Sequence, residues 1–135
     1  MDTVSPQQRS QIMARVRSVD TAPEMAVRRL VHGMGYRYRL HSAKLPGRPD
    51  LVFAGRRKVV FVHGCFWHGH KGCKRSRIPS SNRDYWASKI QRNSLRDRAA
   101  VRALRRGGWM VLTVWECDLS NVNRLAKRLR RFLDE

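Results

Sequence analysis

The chain has 135 residues, a length that suits one domain with a real core and is too short for two. It carries 29 lysines and arginines against 10 aspartates and glutamates, which gives a formal net charge of +19. Such an excess favours a polyanionic partner, and nucleic acid is the first expectation. The sequence shows neither a signal peptide nor an apolar run that could span a membrane, and its three cysteines accompany histidines. We therefore expect a cytoplasmic protein with a bound metal, no disulfide framework and no membrane partner.

The first twenty residues are predicted to form a basic arm ahead of the globular domain. Ser5-Pro6 is a capping residue followed by proline, a pair that predicts a helix start. Met13 and Val16 lie on one side of this segment, either as ordinary packing residues or as apolar wedges directed at DNA. We assign residues 1–20 to the helical arm and residues 21–135 to a single domain.

The domain is predicted to open with a helix. Thr21-Ala22-Pro23-Glu24 is a capping-box pattern, apolar residues follow at helical spacing, and Gly35 closes the helix. Glu24 serves either as the cap itself or as a carboxylate that faces an active site, and the pattern leaves both roles open.

Three strands are predicted to follow the helix. Tyr36 to Leu40 alternates apolar or aromatic residues with arginine, as a half-exposed strand does. Asp50 to Phe53 and Lys58 to Val62 flank a turn and predict a hairpin, which brings Asp50 near Val62 and His63.

The last of these strands runs into VVFVHGCFWHGHKGC, residues 59–73, where potential metal ligands are concentrated. Cys65-x4-His70-x2-Cys73 has the spacing that lets three donors converge on one zinc ion, and Cys117 completes a closed Cys3His set. A closed set predicts a structural zinc, because no position remains for water or substrate. The alternative is that the cysteines are small buried hydrophobes and the histidines are loop residues.

A long helix, a strand and a last helix complete the predicted fold. Ser81-x-x-Asp84 opens the long helix, which runs to about Arg106. Trp109 to Trp115 is a buried-looking strand, and Ser120 is predicted to cap a helix with the apolar face Val122, Leu125, Leu129 and Phe132.

This order predicts a right-handed crossover. Val59–Val62 and Val111–Trp115 would then pair in parallel, beside the antiparallel hairpin. Cys117 would lie next to the loop that carries Cys65, His70 and Cys73, which we call the cysteine-rich loop. The expected fold is α/β, with a mixed central sheet that carries helices on both faces.

Several polar and aromatic residues outside the zinc set are candidates for chemistry. Asp50, with the backbone carbonyl of Val62, is a candidate magnesium site, although an aspartate at a strand start is more often a turn residue. His63 and His68 are candidates for proton transfer or phosphate contact, with Asp97 as a partner that holds His63 charged. Each histidine taken singly is more often structural.

Aromatic residues and one polar helix stripe suggest a nucleic-acid surface. Phe66 and Trp67 cannot both enter the core easily, so at least one should be exposed for stacking, and Trp86 is a candidate to join them. Lys89, Asn93 and Asp97 lie along one stripe of the long helix, which is otherwise simply a solvated face.

Three sequence motifs of this chain resemble those of a known family. Leu45-Pro46-Gly47-Arg48-Pro49-Asp50, Phe61 to His68 and Val114-Trp115-Glu116-Cys117 closely resemble the Vsr family of very-short-patch-repair DNA mismatch endonucleases. Matching residues continue through almost the whole chain, namely Arg9, Ser10, Met13, Thr21, Glu24, Tyr85, Trp86, Lys89, Ile90, Asn93, Arg96 and Asp97. The resemblance implies a restriction-endonuclease-like fold with a structural zinc. It also implies an enzyme that nicks 5′ of the thymine in T:G mismatches, which arise when 5-methylcytosine deaminates.

The resemblance also implies a role for each candidate residue. Asp50 and the carbonyl of Val62 would bind magnesium, His68 would be the general base, His63 would work with Asp97, and Glu24 would order the site. Phe66, Trp67 and Trp86 would wedge into DNA from the major groove, and Met13 and Val16 would press from the minor groove. Lys89 and Asn93 would help to read bases or phosphates.

One strand residue and part of the zinc loop depart from the family pattern. Val62 stands where we expect threonine, which a backbone ligand tolerates, and the zinc loop contains Gly69 and His70 where the family is richer in histidine. The competing functions are a zinc-stabilised DNA-binding module without catalysis and a non-specific nuclease of the same fold. Expected partners are double-stranded DNA with a T:G mismatch and a functionally linked cytosine-5 methyltransferase. Help from mismatch-repair proteins is left open, and a monomer is expected.

Overall fold

The computed structural model describes residues 20–135, and the predicted arm with Ser5-Pro6, Met13 and Val16 lies outside the described residues. Three α-helices and four strands make up the described chain. In chain order they are α1 Ala22–Gly33, β1 Arg39–Leu40, β2 Leu51–Phe53, β3 Lys58–His63, α2 Arg83–Arg106, β4 Met110–Trp115 and α3 Val122–Asp134. Short 3-10 turns follow three of the loops and strands, at Ala54–Arg56, Lys74–Ser76 and Glu116–Ser120.

The strands form one mixed sheet in the order β1-β2-β3-β4. β1 with β2 and β2 with β3 are antiparallel, whereas β3 with β4 is parallel and aligns Val62 with Val114 and His63 with Trp115. Since α2 connects the two parallel strands, the predicted parallel pairing and the predicted mixed sheet are confirmed.

Successive side chains of a strand point to opposite faces of the sheet, and both faces of this sheet bury apolar side chains. One face packs against α1 and α3, and the other packs against α2. Val27, Leu51, Val60, Val114 and Leu129 belong to the first of these two layers, and Val52, Val59, Phe61 and Leu104 belong to the second. Within residues 20–135, no helix combines the length and the apolar character that crossing a membrane requires.

The hairpin of β2 and β3 places Asp50 where the sequence predicts it. Leu51 pairs with Val60, so the residue before β2 reaches the far end of β3. Asp50 Oδ2 accepts a hydrogen bond of 2.6 Å from the backbone N–H of Val62. Arg57 closes the turn with a φ of +58°.

The predicted strand from Tyr36 to Leu40 is too long. Only Arg39–Leu40 pair with β2, and both are exposed. Tyr36 instead turns inward, with its hydroxyl donating to Asp134 at 2.6 Å, and the hydroxyl of Tyr38 donates to the carbonyl of Arg28 at 3.3 Å. The tyrosines are therefore held by helices rather than by strand pairing.

Two predicted helix caps are wrong. Ser81 does not cap α2, because Asn82 takes the cap position in the left-handed region without a side-chain hydrogen bond. Ser120 does not cap α3, because its hydroxyl donates to Cys117 O and Asn121 Oδ1 accepts from Arg124 N–H instead.

The predicted apolar face of α3 is displaced as well. Leu125, Leu129 and Leu133 are the buried residues of this helix. Val122 at the first helical position is exposed, and Phe132 is only half-buried. Spacing alone does not single out Leu133, because it follows Phe132 directly and the larger aromatic side chain is the more obvious candidate for the core.

Candidate active site and zinc cluster

A cavity of about 720 Å³ lies at the carboxyl end of β3, between α1 and α2. All five residues predicted to be catalytic line it together with Val62, and they are Glu24, Asp50, His63, His68 and Asp97. Trp67 and Asn93 also reach its wall, whereas Phe66, Trp86 and Lys89 do not line it. The fold therefore collects into one cavity residues from α1, the β2–β3 hairpin, the cysteine-rich loop and α2.

Asp50 is half-buried in this cavity and lacks a cationic neighbour in hydrogen-bond contact within the described chain. Burial, with a smaller contribution from the neighbouring Glu24, raises the pKa of its carboxyl to about 7, although the hydrogen bond from Val62 opposes the rise. A divalent cation would relieve the repulsion between the two carboxylates. Oxygen donors of this kind fit a magnesium ion.

Glu24 faces the cavity rather than closing a capping box. Thr21 caps α1 by accepting from the N–H of Glu24 at 3.4 Å, as predicted. The carboxylate of Glu24, only 3% exposed, bonds instead to Arg28 and, at 2.6 Å, to His41. Glu24 therefore lies at the wall of the cavity, and its role in an active site stays a prediction.

His63 and His68 stack on each other, with ring centroids 3.8 Å apart and planes inclined by 5°. Asp97 Oδ2 lies 2.6 Å from His68 Nδ1 and 4.0 Å from His63 Nδ1. The hydrogen-bond network thus assigns a proton to Nδ1 of His68, which leaves a lone pair on Nε2 of the neutral ring.

His63 differs from the prediction that Asp97 holds it charged. Burial, together with the repulsion that a charge on His68 would exert, lowers the pKa of His63 to about 3, although Asp97 opposes both effects. His63 is therefore neutral near pH 7. Its stacked ring fixes the orientation of His68.

The stripe on α2 holds the loop that carries Trp67 and His68. Asn93 is only 5% exposed, and its Nδ2 donates to Trp67 O at 2.9 Å. Ser94 Oγ donates to His68 O at 3.0 Å. The amide of Asn93 is thus engaged with the loop backbone, and its expected contact to bases or phosphates stays a prediction.

Gly69 allows this close approach of loop and helix. Its φ is +62°, and a Cβ at this position would stand 2.6 Å from Ile90 Cγ2 on α2. Any side chain would therefore push the loop away from the helix. That displacement would move His68 on one side and His70 on the other.

The cysteine-rich loop and the end of β4 form a Cys3His cluster. The donor atoms of Cys65, His70, Cys73 and Cys117 all lie within 4.8 Å of one another. Cys117 Sγ is 3.5 Å from His70 Nδ1, close to the roughly 3.5 Å that separates sulfur and nitrogen ligands around a tetrahedral zinc ion. The cluster is compatible with a structural zinc ion.

The surroundings of the cluster suit a metal as well. Burial raises the pKa of the Cys65 thiol to about 12, so a cation is needed to hold it as a thiolate. The backbone N–H of Cys117 donates to Cys65 Sγ at 3.4 Å. His70 stacks on Trp115 with centroids 4.0 Å apart, which fixes the ring that would supply Nδ1.

Two other groups bring metal-ligand types together. His63, His68 and Asp97 form one of them, and Asp20, Glu24 and His41 form the other. Arg28 contacts both carboxylates of the second group, so its positive charge already occupies that space. The first group, in the cavity, remains a possible metal site.

Three large aromatic side chains gather beside the cavity. Phe66 lies 5.2 Å from Trp67 and 5.4 Å from Trp86 between ring centroids, and the two tryptophans are 5.9 Å apart. All three are half-buried, and Tyr85, at 43% exposure, packs on Trp86. Trp86 therefore lies with Phe66 and Trp67 in one cluster, and the role of the cluster in contacting DNA stays a prediction.

Sequence reasoning gave no role in the site to several charged or polar residues that lie there. Arg48 and Arg96 line the cavity, and Arg28 and His41 contact Glu24. The position of Arg28 four residues after Glu24 was a usable signal, because such residues are neighbours on a helix. His41 gave no such signal, since its approach to Glu24 depends on the tertiary fold.

Comparison with known proteins supports a nuclease. The family described as DNA mismatch endonuclease Vsr matches residues 1–75. Type II nicking enzyme V.XorIIP of Xanthomonas oryzae pv. oryzae is 53% identical over 133 residues, which cover 98% of this chain and 97% of the relative. DNA mismatch endonuclease Vsr of Escherichia coli is 42% identical over 117 residues, which cover 87% of this chain and 74% of the relative. Type II nicking enzyme V.NmeAIP of Neisseria meningitidis is 40% identical over 134 residues, which cover 99% of this chain and 95% of the relative.

The α/β fold with its mixed sheet, the cavity and the similarity to nicking enzymes together identify the protein as a DNA nicking endonuclease. The chain belongs to the family of DNA mismatch endonuclease Vsr and the type II nicking enzymes.

Proposed function

We propose that the protein nicks the thymine-containing strand 5′ of the thymine in T:G mismatches left by deaminated 5-methylcytosine, in a magnesium-dependent reaction. The observation that carries this proposal is the convergence of Asp50, Glu24 and the His68–Asp97 pair in one cavity beside three aromatic rings. The cavity offers hydrolytic groups, and the rings offer a means to recognise a weakened base pair.

The residues of the cavity fit the proposed magnesium ion. Asp50 and the carbonyl of Val62 would hold it, and Glu24 would order the site. When bound, the ion polarises the scissile phosphate and stabilises charge on the leaving oxygen. The raised pKa of Asp50 supports this assignment, because a buried carboxylate beside another carboxylate favours a cation.

His68 is the proposed general base. Its Nδ1–H donates to Asp97, which fixes the tautomer and leaves Nε2 to accept a proton from the attacking water. His63, neutral and stacked on His68, keeps the second ring in position. Asp97 then balances the charge that His68 acquires as it takes the proton.

The aromatic residues supply the proposed selectivity. Phe66, Trp67 and Trp86 would insert beside the mismatch, where a wobble pair is easier to unstack than a matched pair. Asn93 would brace this wedge through its bond to Trp67 O. Met13 and Val16 would press from the minor groove, and Lys89 would contact bases or phosphates.

The proposed substrate sets the cellular context. A T:G mismatch forms where 5-methylcytosine has deaminated, so a cytosine-5 methyltransferase should act on the same DNA. We propose that the protein acts as a monomer on chromosomal DNA in the cytoplasm, and that mismatch-repair proteins are candidates to act alongside it.

Strand-specific nicking of labelled duplexes tests the function. Each duplex carries one T:G pair or the matched T:A or C:G pair, in several contexts that cytosine methyltransferases recognise, with either strand labelled. We expect a magnesium-dependent nick 5′ of the thymine in T:G duplexes alone. His68→Asn should nick at least about 100-fold more slowly, and His32→Asn, at an exposed position near the end of α1, should match the unchanged protein.

The other outcomes would contradict the proposal. Nicking of every duplex would indicate a nuclease without mismatch specificity. Nicking of T:G duplexes in the guanine strand would contradict the assigned strand. A His68→Asn variant with an unchanged rate would remove His68 as the general base.

A further inference from the structure

Two side chains that the proposed reaction does not use hold Glu24 in the cavity. Glu24 Oε2 accepts a hydrogen bond from His41 Nε2 at 2.6 Å and another from the guanidinium of Arg28, one turn along α1. The side chain of Arg28 is 11% exposed and that of His41 is 16% exposed. Charged hydrogen bonds this well shielded from solvent are stronger than exposed ion pairs.

His41 is joined to Asp50 as well as to Glu24. Its backbone N–H donates to Asp50 O at 3.3 Å, directly after β1 ends at Leu40. Its φ is +46°, a conformation that is uncommon for a residue other than glycine. Such a backbone persists where the surrounding structure holds it, and these positions cluster at functional sites.

Arg28 is fixed by more than one contact. Its guanidinium bonds to Asp20, the first described residue, in addition to Glu24. It also lies 3.3 Å from His41 Nε2. The positive charge is therefore held next to a carboxylate that stands in the same cavity as Asp50.

The two cavity carboxylates need such support. Glu24 and Asp50 line the same cavity, so two carboxylates that repel each other when both are charged stand in one space. Without a partner for Glu24, the same repulsion would turn its side chain away from Asp50. Because both contacts engage Oε2, they fix the rotation of the carboxylate as well as its position.

We propose that Arg28 and His41 are positioning residues that hold the Glu24 carboxylate beside Asp50 for a divalent cation. The inference rests on the proposed magnesium site. Partners of metal-site carboxylates set the orientation of the ligands, and their loss typically lowers metal affinity or activity by about 10- to 100-fold.

Binding of Mn²⁺ to the zinc-loaded protein tests the proposal without turnover. Free Mn²⁺ is followed by electron paramagnetic resonance, and Asp50→Asn defines the background. His41→Asn keeps a residue that tolerates the left-handed backbone but is too short to reach Glu24. His41→Gln restores an N–H donor of greater reach, Arg28→Met removes the donors, and Arg29→Gln is the control at the exposed neighbouring position.

We expect His41→Asn and Arg28→Met to weaken Mn²⁺ binding by about tenfold or more. The magnesium concentration for half-maximal nicking should rise in parallel, His41→Gln should recover most of the affinity, and Arg29→Gln should change nothing. Unchanged Mn²⁺ affinity with a lower melting temperature would overturn the proposal in favour of a purely structural role. Absence of Mn²⁺ binding above the Asp50→Asn background would overturn it too. Because this binding is measured without a duplex, failure of T:G nicking would refute the proposed function separately.

Discussion

Asp50 occupies an environment that opposes its own charge. The residue accepts one backbone hydrogen bond from Val62, yet burial and the neighbouring Glu24 together raise the pKa of Asp50 to about 7. The ordinary value is 3.8, so the folded protein retains a proton on Asp50 over a pH range in which the unfolded chain has lost it. The charged form of Asp50 therefore costs stability in the metal-free protein, and the proposed cation would offset that cost.

The pH dependence of stability should reveal this cost. Because the folded pKa is raised, the contribution of Asp50 to stability falls as pH rises from about 4 to about 7, and the penalty is complete above that range. At about 1.4 kcal/mol for each pH unit, Asp50→Asn should stabilise the magnesium-free protein by roughly 2–4 kcal/mol more at pH 8 than at pH 5. Urea unfolding of both proteins with zinc retained measures this difference.

The comparison of the unchanged protein with Asp50→Asn isolates the contribution of Asp50 to stability. His63 has a lowered pKa, so its contribution to stability rises with pH between about 3 and 6.5, but it is present in both proteins and cancels. An equal effect of the substitution at pH 5 and pH 8 would show that the folded structure does not perturb Asp50.

At the scale of elements, the loop from Gly64 to Cys73 depends on two supports. The side chains of Asn93 and Ser94 on α2 hold its backbone at Trp67 and His68. The Cys3His cluster joins both ends of the loop, at Cys65 and at Cys73, to Cys117 after β4. The same loop thus carries two of the proposed wedge residues, the proposed base and three of the four candidate zinc donors.

Loss of zinc should therefore affect both folding and catalysis. We expect about one zinc per chain in the purified protein, and His70→Gln should lose most of it along with cooperative thermal unfolding. The matched control His32→Gln, at an exposed site on α1, should keep its zinc. Elemental analysis measures the zinc content of both variants. A full complement of zinc in His70→Gln would exclude this histidine as a ligand.

Sequence patterns identified the elements better than their ends. Ligand spacing and strand order were enough to predict that Cys117 meets Cys65, because parallel strands end at the same edge of the sheet. The caps at Ser81 and Ser120 were misplaced because neighbouring asparagines compete for the same position. Which histidine bonds to Asp97 was also beyond sequence, since loop geometry decides it.

At the scale of the whole molecule, charge is the dominant property. The net charge is +19, and Arg98, Arg102 and Arg105 are exposed along one face of α2 with no ion-pair partner among residues 20–135. Composition alone was sufficient to predict a polyanionic partner. It does not predict the cavity, where acidic side chains meet within this basic protein.

Binding to DNA should depend strongly on salt. With at least four phosphate contacts, the logarithm of the binding constant for a matched duplex should fall with the logarithm of salt concentration, with a slope of about −4 or steeper. Fluorescence anisotropy without magnesium measures this slope between about 50 mM and about 200 mM salt. A slope near zero would mean that the basic surface does not bind the phosphate backbone.

The division between recognition and chemistry connects these scales. The aromatic cluster of Phe66, Trp67 and Trp86 is proposed to bind the mismatch, and the cavity around Asp50 is proposed to cut the strand. Since Asp50 is not part of the aromatic cluster, the two activities should separate in one variant.

The most direct measurement takes both quantities from Asp50→Asn, namely its Kd for a T:G duplex and its single-turnover rate of nicking with magnesium. Asp134→Asn is the control, because that acid lies outside the cavity. We predict that Asp50→Asn keeps its Kd within about threefold and loses nicking by at least about 1,000-fold, as expected for a group that acts mainly in the transition state. Nicking at the unchanged rate, or binding lost in step with nicking, would contradict a catalytic site at Asp50.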